Sequence, residues 1–484
     1  MDENRINLSV CMIIRDESER LPRVIESVRP IADEVIVVDT GSTDDSIAVA
    51  EGLGAAVIRH VWQDDFAEAR NTSIEAAHGD WILCIDADEF VPAESLDKIR
   101  EAMSADGDAY FVRIESAARS SAGKCFVNFF PRLFRKMDGV RFEGRVHEQI
   151  FPSLERAKAR VLVSEIVLGH TGYDLSAKQL AEKARRNADL LLRESDNRPD
   201  DPLVLYHLGE AYSMMDDYGG AIEFYEKALG VGRLPKEILC ALYQNLGSAL
   251  VKQRRYEEAI IRLRKALKVD PSLLTAHLVI ASALFGMGKF DRAEAEILSY
   301  ISRTQDANRG RRLRLGYEPE IGSALVLLAK CRLARGDLEK AREALTDAIG
   351  LDGGLGDAHI LLGKIAFEEL RFGQAVTHYE AARKTAPPDE RLYFELARSY
   401  VACGSTDKAA ELIEVAVREG LESAPLLRCL GILRIKKKDY AGAVEAYKES
   451  LCLEPDDSES RRRLAGLLHI MGDDESAREY ITVE

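Results

Sequence analysis

Paired cysteines are missing from this sequence. Its eight cysteines, Cys11, Cys84, Cys125, Cys240, Cys331, Cys403, Cys429 and Cys452, are scattered, and none forms a C-x-x-C pair. Zinc-ribbon and thioredoxin-type chemistry are thereby excluded. Isolated thiols in a chain of 484 residues fit buried side chains in a reducing compartment, so a cytoplasmic location is expected. Long apolar runs are missing too. No stretch approaches the roughly 20 residues of a membrane span, so no transmembrane segment is expected. The opening residues, Met1 to Val10, carry acidic charge and no basic n-region, which argues against a secretory leader. Positive charge is in deficit: 66 Lys and Arg face 82 Asp and Glu, a net charge of -16. A field of that sign repels nucleic acid and anionic membrane, so neither is expected as a partner. Phosphate-cradling glycine loops are absent as well, with no G-x-x-x-x-G-K-[ST] and no well-placed G-x-G-x-x-G, which argues against P-loop and dinucleotide enzymes.

What is present is an ordinary globular balance, 46% hydrophobic and 31% charged. At about 150 residues per domain, the length suggests two or three domains. The first part alternates buried-strand runs with helical patterns. Leu8–Ile14, Val35–Val38, Ala55–Arg59 and Trp81–Ile85 read as strands. Helical stretches fall between them, to Val28, over Thr43–Leu53 and over Phe66–Ala77. Continuous apolar strands separated by helices predict a parallel sheet covered on both faces, with ligands at the carboxyl ends of its strands. Two strands deliver acid to that edge: Asp39 after the second, and Asp86 and Asp88 after the fourth.

From about residue 200 the strands vanish and a repeat begins. Small residues recur at Gly209, Gly247, Ala281, Ala329, Gly363, Ala397, Gly431 and Ala465, and the last four intervals are each 34 residues. That is the tetratricopeptide period, and it predicts stacked helix pairs, seven full copies and a terminal partial one. Leu208, Tyr212, Ala221, Tyr225 and Ala228 mark the first copy, and Pro271, Pro387 and Pro455 close later ones. The interval from 281 to 329 is longer, and its insert carries Arg303, Arg309, Arg311, Arg312 and Arg314. This reads either as a solvated loop or as a contact for an acidic partner. The predicted organisation is a sheet domain over 1–174, a helical connector over 175–200 and a solenoid over 201–484.

Carboxylates spaced as in Asp86-Ala87-Asp88 are hard oxygen ligands suited to Mg2+ or Mn2+. Such a pair alone is a weak signal, and a solvated turn is the plain alternative. Its context adds weight. Ser9–Glu17, Val37–Asp44, Phe66–Asn71 and Asp86–Asp88, in this order, resemble the nucleotide-sugar half of the inverting family-two glycosyltransferases. The resemblance covers about 90 residues and implies an α/β GT-A (Rossmann-like) catalytic domain, here followed by an all-α tetratricopeptide solenoid. It implies that Asp39 contacts the base or ribose, that Arg15 at the end of the first strand lies beside the base, and that Arg70 approaches the nucleotide or its phosphates. It also implies that Asp86 faces ribose and metal and that Asp88 binds the metal. Asp16 departs from the pattern, since many relatives carry Asn there.

Glycosyl transfer needs a neutralised leaving diphosphate and a base for the acceptor. The segment Phe142–Gln149 offers Glu148 as base and His147 as a metal or phosphate contact. On a strand the two would face opposite ways, so both reach one site only if the chain turns there. Relatives with appended repeat arrays carry a similar Val-His-Glu element. His170, between Gly169 and Gly172, reads as a turn residue or a third metal ligand. Structural hydrogen bonding is the alternative for His147 and Glu148. Trp62 reads as a core anchor or as a border of the donor pocket, and His60 and His78 as structural.

The functional expectation is a metal-dependent (Mn2+ or Mg2+) transfer of a sugar from a UDP-linked donor to a peptide or protein acceptor held by the array. Two rivals differ in class. One is an enzyme for lipid-linked or polysaccharide acceptors whose repeats serve homo-oligomerisation. The other is a non-catalytic scaffold.

Overall fold

The computed structural model describes residues 7–117, 125–170, 177–232, 234–309, 321–385, 389–421 and 423–481. The chain divides into two compact units, one reaching to Pro319 and one beginning at Glu320.

The first unit opens with β1 (Leu8–Ile14), α1 (Leu21–Val28), β2 (Glu34–Asp39), α2 (Ser46–Gly52), β3 (Ala56–Arg59), α3 (Phe66–Ala76) and β4 (Trp81–Cys84). Leu21, Val24, Ile25 and Val28 form the buried stripe of α1, the spacing of a helix with one apolar face. Strands β3, β2, β1 and β4 lie side by side and parallel. Their boundaries fall within a residue or two of the apolar runs in the sequence. Gly79 permits the return into β4, because a Cβ there would meet Ser9 and the Asn7 carbonyl at 2.7–2.9 Å.

The second half of the sheet departs from the all-parallel expectation. It contains β5 (Glu89–Phe90), then α4 (Ala93–Ser104), β6 (Ala109–Ala117), β7 (Cys125–Arg135), α5 (Phe151–Arg156) and β8 (Val161–His170). Strand β7 runs antiparallel to β4 and to β6, and β5 runs antiparallel to β8. The eight-stranded order is β3-β2-β1-β4-β7-β6-β8-β5. β6 and β8 pair parallel with each other, so the antiparallel contacts are those of β7 and β5. The described part of β6 alternates buried and half-exposed positions from Tyr110 on, as expected of a strand with one wetter face, whereas β1 is almost wholly buried.

The helical part of this unit begins with α6 (Ala177–Asn197), α7 (Pro202–Met214) and α8 (Tyr218–Val231). Val146 of the sheet domain packs in one apolar cluster with Leu190 and Leu191 of α6 and Val204 and Leu208 of α7. Helix pairs follow at the predicted period. Among the described residues there are seven full pairs and an eighth whose second helix, Asp474–Ile481, is short. Gly209 and Gly247 sit against Tyr225 and Leu263 in the first unit, and Gly363 and Gly431 against Tyr379 and Tyr447 in the second, at distances a Cβ could not keep. Of the arginine-rich insert, Arg311, Arg312 and Arg314 lie outside the described residues. Arg303 belongs to the helix Phe290–Arg309 and reaches His277 Nε2 at 3.5 Å.

Candidate active site

A cavity of about 530 Å³ opens in the first unit where β4 ends, lined among others by Glu17, Arg70, Asp88, Arg132, His170 and Lys183. Arg70 projects from α3, whose first turn is capped by Asp65 accepting from the Glu68 N–H at 3.0 Å. Asn71, the next residue, exchanges two hydrogen bonds with the Phe142 backbone at 2.8 and 3.0 Å. That exchange anchors the segment leading to Glu148.

Arg70 Nε donates to Glu148 Oε1 at 2.5 Å, and an Arg70 terminal nitrogen donates to Asp86 Oδ1 at 2.6 Å. Arg132 of β7 donates to Asp86 Oδ2 at 2.6 Å and to Glu89 Oε1 at 3.1 Å. The antiparallel β4–β7 register makes this possible by pairing Leu83 with Leu133. Burial opposes the charge on both arginines, but the carboxylates beside them more than offset it and raise both pKa values. Asp86 is also desolvated, yet Arg132 and then Arg70 hold its carboxyl far below the usual range. Burial and the neighbouring Asp86 charge raise Glu89 above it.

Asp88 faces the other way. Its Oδ2 lies 3.2 Å from His170 Nε2. Desolvation works against the Asp88 charge, and the His170 contact overcomes it and lowers the pKa. Burial likewise disfavours charge on His170, and Asp88 raises it. His170 is therefore not in a turn: it is the last residue of β8, paired across the ladder with Glu89. Gly169 beside it leaves room for the Phe90 ring, whose atoms would lie 2.3–2.9 Å from a Cβ. That close approach holds the short β5 strand, and with it the acidic turn, against His170.

The chain does turn at the Val-His-Glu element. Gly144 and His147 have φ of 94° and 57°, and Glu143 bridges to Gln149. Glu148 thus faces Arg70, while His147 stacks on His207 of α7, ring centroids 4.4 Å apart. The His147 ring keeps an exposed edge, but desolvation of its body, with His207 alongside, lowers its pKa.

Asp39 ends β2 with a buried carboxylate that accepts the Gly41 and Ser42 N–H groups at 3.1 Å. Arg15 stands exposed after β1 and lowers the pKa of Arg186 on α6, after burial. Neither Asp39 nor Arg15 lines the cavity. Asp16 adopts φ of 55° and accepts from the Thr43 N–H and hydroxyl at 2.7 and 3.1 Å. Those bonds need only an acceptor, which the Asp16 carboxylate supplies. Trp62 donates to Asp64 and packs edge-on against Phe66, outside the cavity lining.

Four groups escaped the sequence reading. Arg132 could have been noticed as a charge inside an apolar strand, and Glu89 as an acid directly after Asp88. Lys183 and Arg186, both on α6, line the same cavity. No local pattern separates them from a solvated helix face.

Residues 9–127 match the family model described as Glycosyl transferase family 2. Tetratricopeptide repeat models match residues 200–272, 250–314, 323–351 and 360–424. A TPR repeat-containing protein of Synechococcus elongatus is 32% identical over 270 residues, 54% of this chain and 66% of the relative. The SPbeta prophage-derived glycosyltransferase SunS of Bacillus subtilis is 27% identical over 223 residues, 45% of this chain and 52% of the relative. An uncharacterized glycosyltransferase of Rickettsia conorii is 45% identical over 97 residues, 19% of this chain and 32% of the relative. The chain spans less than two thirds of the length of these curated relatives. Among the described residues no helix is long and apolar enough to cross a membrane.

Proposed function

We propose that this chain, which joins a family 2 glycosyltransferase domain to tetratricopeptide repeats, transfers a sugar from a nucleotide sugar to a peptide or protein acceptor. The observation that carries the reading is the lattice Glu148–Arg70–Asp86–Arg132–Glu89 at the strand end, with Asp88 and His170 opening on the same cavity.

Asp86 has both carboxylate oxygens held by guanidinium groups. It therefore acts as the fixed centre of the lattice and not as a free metal ligand. Asp88 and His170 supply one carboxylate and one imidazole, a donor set that suits Mn2+ better than Mg2+, which favours oxygen. A cation bound there would offset the charge of the leaving diphosphate. Lys183 and Arg186 add positive charge from α6 for the same phosphates. Glu148, oriented by Arg70, takes the acceptor proton as the sugar carbon leaves the diphosphate oxygen for the acceptor atom. Asp39 fixes the turn after β2, where the base and ribose of a UDP donor would rest, with Arg15 at the neighbouring strand end.

The repeats carry the acceptor. In the second unit a cavity of about 390 Å³ is lined by Phe394, Val401 and Ile432 and flanked by Arg398, Arg428 and Arg463. Apolar walls with several guanidinium groups suit an extended segment bearing acidic and apolar side chains.

The test is hydrolysis of a panel of nucleotide sugars by the full chain, with Mn2+ and with chelator, for the parent and for Asp88→Asn. One donor should be turned over, and the substitution should lower its turnover at least ~10²-fold. Turnover that survives both chelator and Asp88→Asn would remove the cation from the reading. No turnover of any donor would favour a non-catalytic scaffold.

A further inference from the structure

A second group of metal-ligand side chains lies at the edge of the cavity, which His147 also lines, where the sheet domain meets the first repeat. His147 comes from the turn after Gly144, and His207 and Glu210 come from one face of α7. Their ligand atoms lie within 4.8 Å of one another. His207 Nδ1 is 2.9 Å from Glu210 Oε2, and the His147 ring stacks over His207 at 4.4 Å.

Three features distinguish this group from a chance surface cluster. First, Glu210 is held in place: its Oε1 accepts from the Tyr206 hydroxyl at 2.7 Å and from Asn245 at 3.3 Å, the latter on the next repeat. Such supporting bonds orient metal ligands. Second, His147 adopts φ of 57°. That conformation is uncommon for a residue with a side chain, and its cost must be met by neighbouring structure. Here it turns the imidazole toward α7 while Glu148 keeps its bond to Arg70. Third, the spacing fits. Ligands at about 2.0–2.2 Å from a tetrahedral ion lie about 3.4 Å apart, and the His207–Glu210 contact at 2.9 Å is already of that order.

We infer that His147, His207 and Glu210 form a binding site for a divalent transition-metal ion of the Zn2+ class, distinct from the Asp88–His170 pair. The cation takes the place of the proton shared by His207 and Glu210. His147 turns its ring from the stacked position toward the ion, and the fourth position stays open to water or a donor atom of a ligand. Two imidazoles and one carboxylate favour Zn2+, Co2+ or Ni2+ over Mg2+ and Ca2+. Ligands from the turn that bears Glu148 and from the first repeat would be joined through one ion, so metal occupancy would brace that turn. This inference goes beyond the donor chemistry and does not depend on it.

The experiment uses the full chain and Co2+ as a spectroscopic probe, with Zn2+ binding measured by equilibrium dialysis. The parent should bind one Co2+ with the intensified visible absorption of four-coordinate cobalt, beyond any cation held by Asp88 and His170, and Zn2+ should displace it. His207→Ala and Glu210→Gln should each lower the affinity at least ~10-fold, since even residues that only support a ligand cost that much. Asp88→Asn and His170→Ala should retain the band. Should His207→Ala fail to fold by circular dichroism, His207→Gln and His147→Gln remove the imidazoles while keeping a polar side chain. A band that survives both Gln variants, or that disappears with Asp88→Asn alone, overturns the site, as does the absence of stoichiometric binding by the parent. Failure of donor hydrolysis would leave this readout untouched.

Discussion

In the sheet domain Arg70, Asp86 and Arg132 meet from three different elements, with partners 16 and 46 positions apart in sequence. In the array Gly363 meets Tyr379 across one turn between helices, and Gly209–Tyr225 and Gly431–Tyr447 repeat the same contact. The first arrangement occurs once and is electrostatic. The second is apolar, local and reiterated. A fault in a repeat is shared with neighbours that each bury their own faces. A fault in the buried charge lattice has no substitute, because the remaining charges stay desolvated.

The largest expected effect follows from this contrast. Asp86→Asn removes the one carboxylate that serves both Arg70 and Arg132. Breaking a buried pair by deleting one partner costs about 3–5 kcal/mol; both guanidinium groups are buried but Asp86 is partly exposed, which places the cost here toward the lower end. The denaturation midpoint of the first unit should fall accordingly, and donor hydrolysis should drop at least ~10²-fold. A shift of only a few tenths of a kcal/mol would mean that the lattice is solvated, and the contrast with the array would collapse.

A truncation series sharpens the boundary between the two regions. Ending the chain after Arg198 removes α7, and with it Val204 and Leu208 from the cluster that covers Val146, Leu190 and Leu191. Fully burying such a side chain stabilises by roughly 1.5–3 kcal/mol, so this fragment should be several kcal/mol less stable. Ending after Pro319 keeps the whole first compact unit. That fragment should hydrolyse donor at the parental rate and lose transfer to a protein acceptor through lowered effective concentration. Equal stability of the two fragments, followed by circular dichroism, would place the structural boundary near residue 200.

Legibility differs between the regions for the same reason. Periodic apolar and small residues announce strands β1 to β4 and the helix pairs, because each is fixed by its own sequence. Asp88 and Arg70 stood in short motifs and could be named. The bond from Arg132 to Asp86 depends on an antiparallel strand 46 positions away, and nothing local encodes that partner. His207 looks like an ordinary helix residue until the turn at Gly144 and His147 brings a second imidazole onto it. The second half of the sheet is the least legible part, since its half-exposed strands carry weaker signals than wholly buried ones.

A smaller effect is expected inside one repeat. At Gly363 a Cβ would lie 2.8–2.9 Å from ring carbons of Tyr379, which is itself buried. Alanine gains about 1 kcal/mol of helix propensity, while overpacking costs about 1–3 kcal/mol. Gly363→Ala should therefore destabilise the second unit by about 1 kcal/mol and leave donor hydrolysis unchanged. Chemical denaturation followed together with hydrolysis checks both halves of that statement, and a stabilised variant would show that the ring yields freely.

The smallest effect concerns protons, and its sign differs between the regions. His170 is raised above the ordinary histidine value: burial opposes its charge, and Asp88, whose own pKa is lowered, outweighs burial. Its contribution is present below pH 6.5 and is lost as pH rises through the raised value. The Asp88 contribution is present above about pH 3.8 and is lost as pH falls through the lowered value. The pair is thus complete between those limits. In the array His359 and His378 face each other with Nδ1 atoms 3.2 Å apart, and burial lowers both, helped for His378 by His359. Their folded forms favour the neutral ring, so stability is present above pH 6.5 and is lost as pH falls. Acidifying from pH 7.5 to 5.5 should strengthen the His170 contact while weakening the His359–His378 contact. Each effect is below about 1 kcal/mol because solvent screens partly exposed groups. Thermal melts of His170→Asn and His378→Asn against the parent isolate the two slopes. In the His170→Asn comparison the parent's advantage should grow on acidification, and in the His378→Asn comparison it should shrink. Slopes of the same sign in both comparisons would show that the two histidine environments are not opposed.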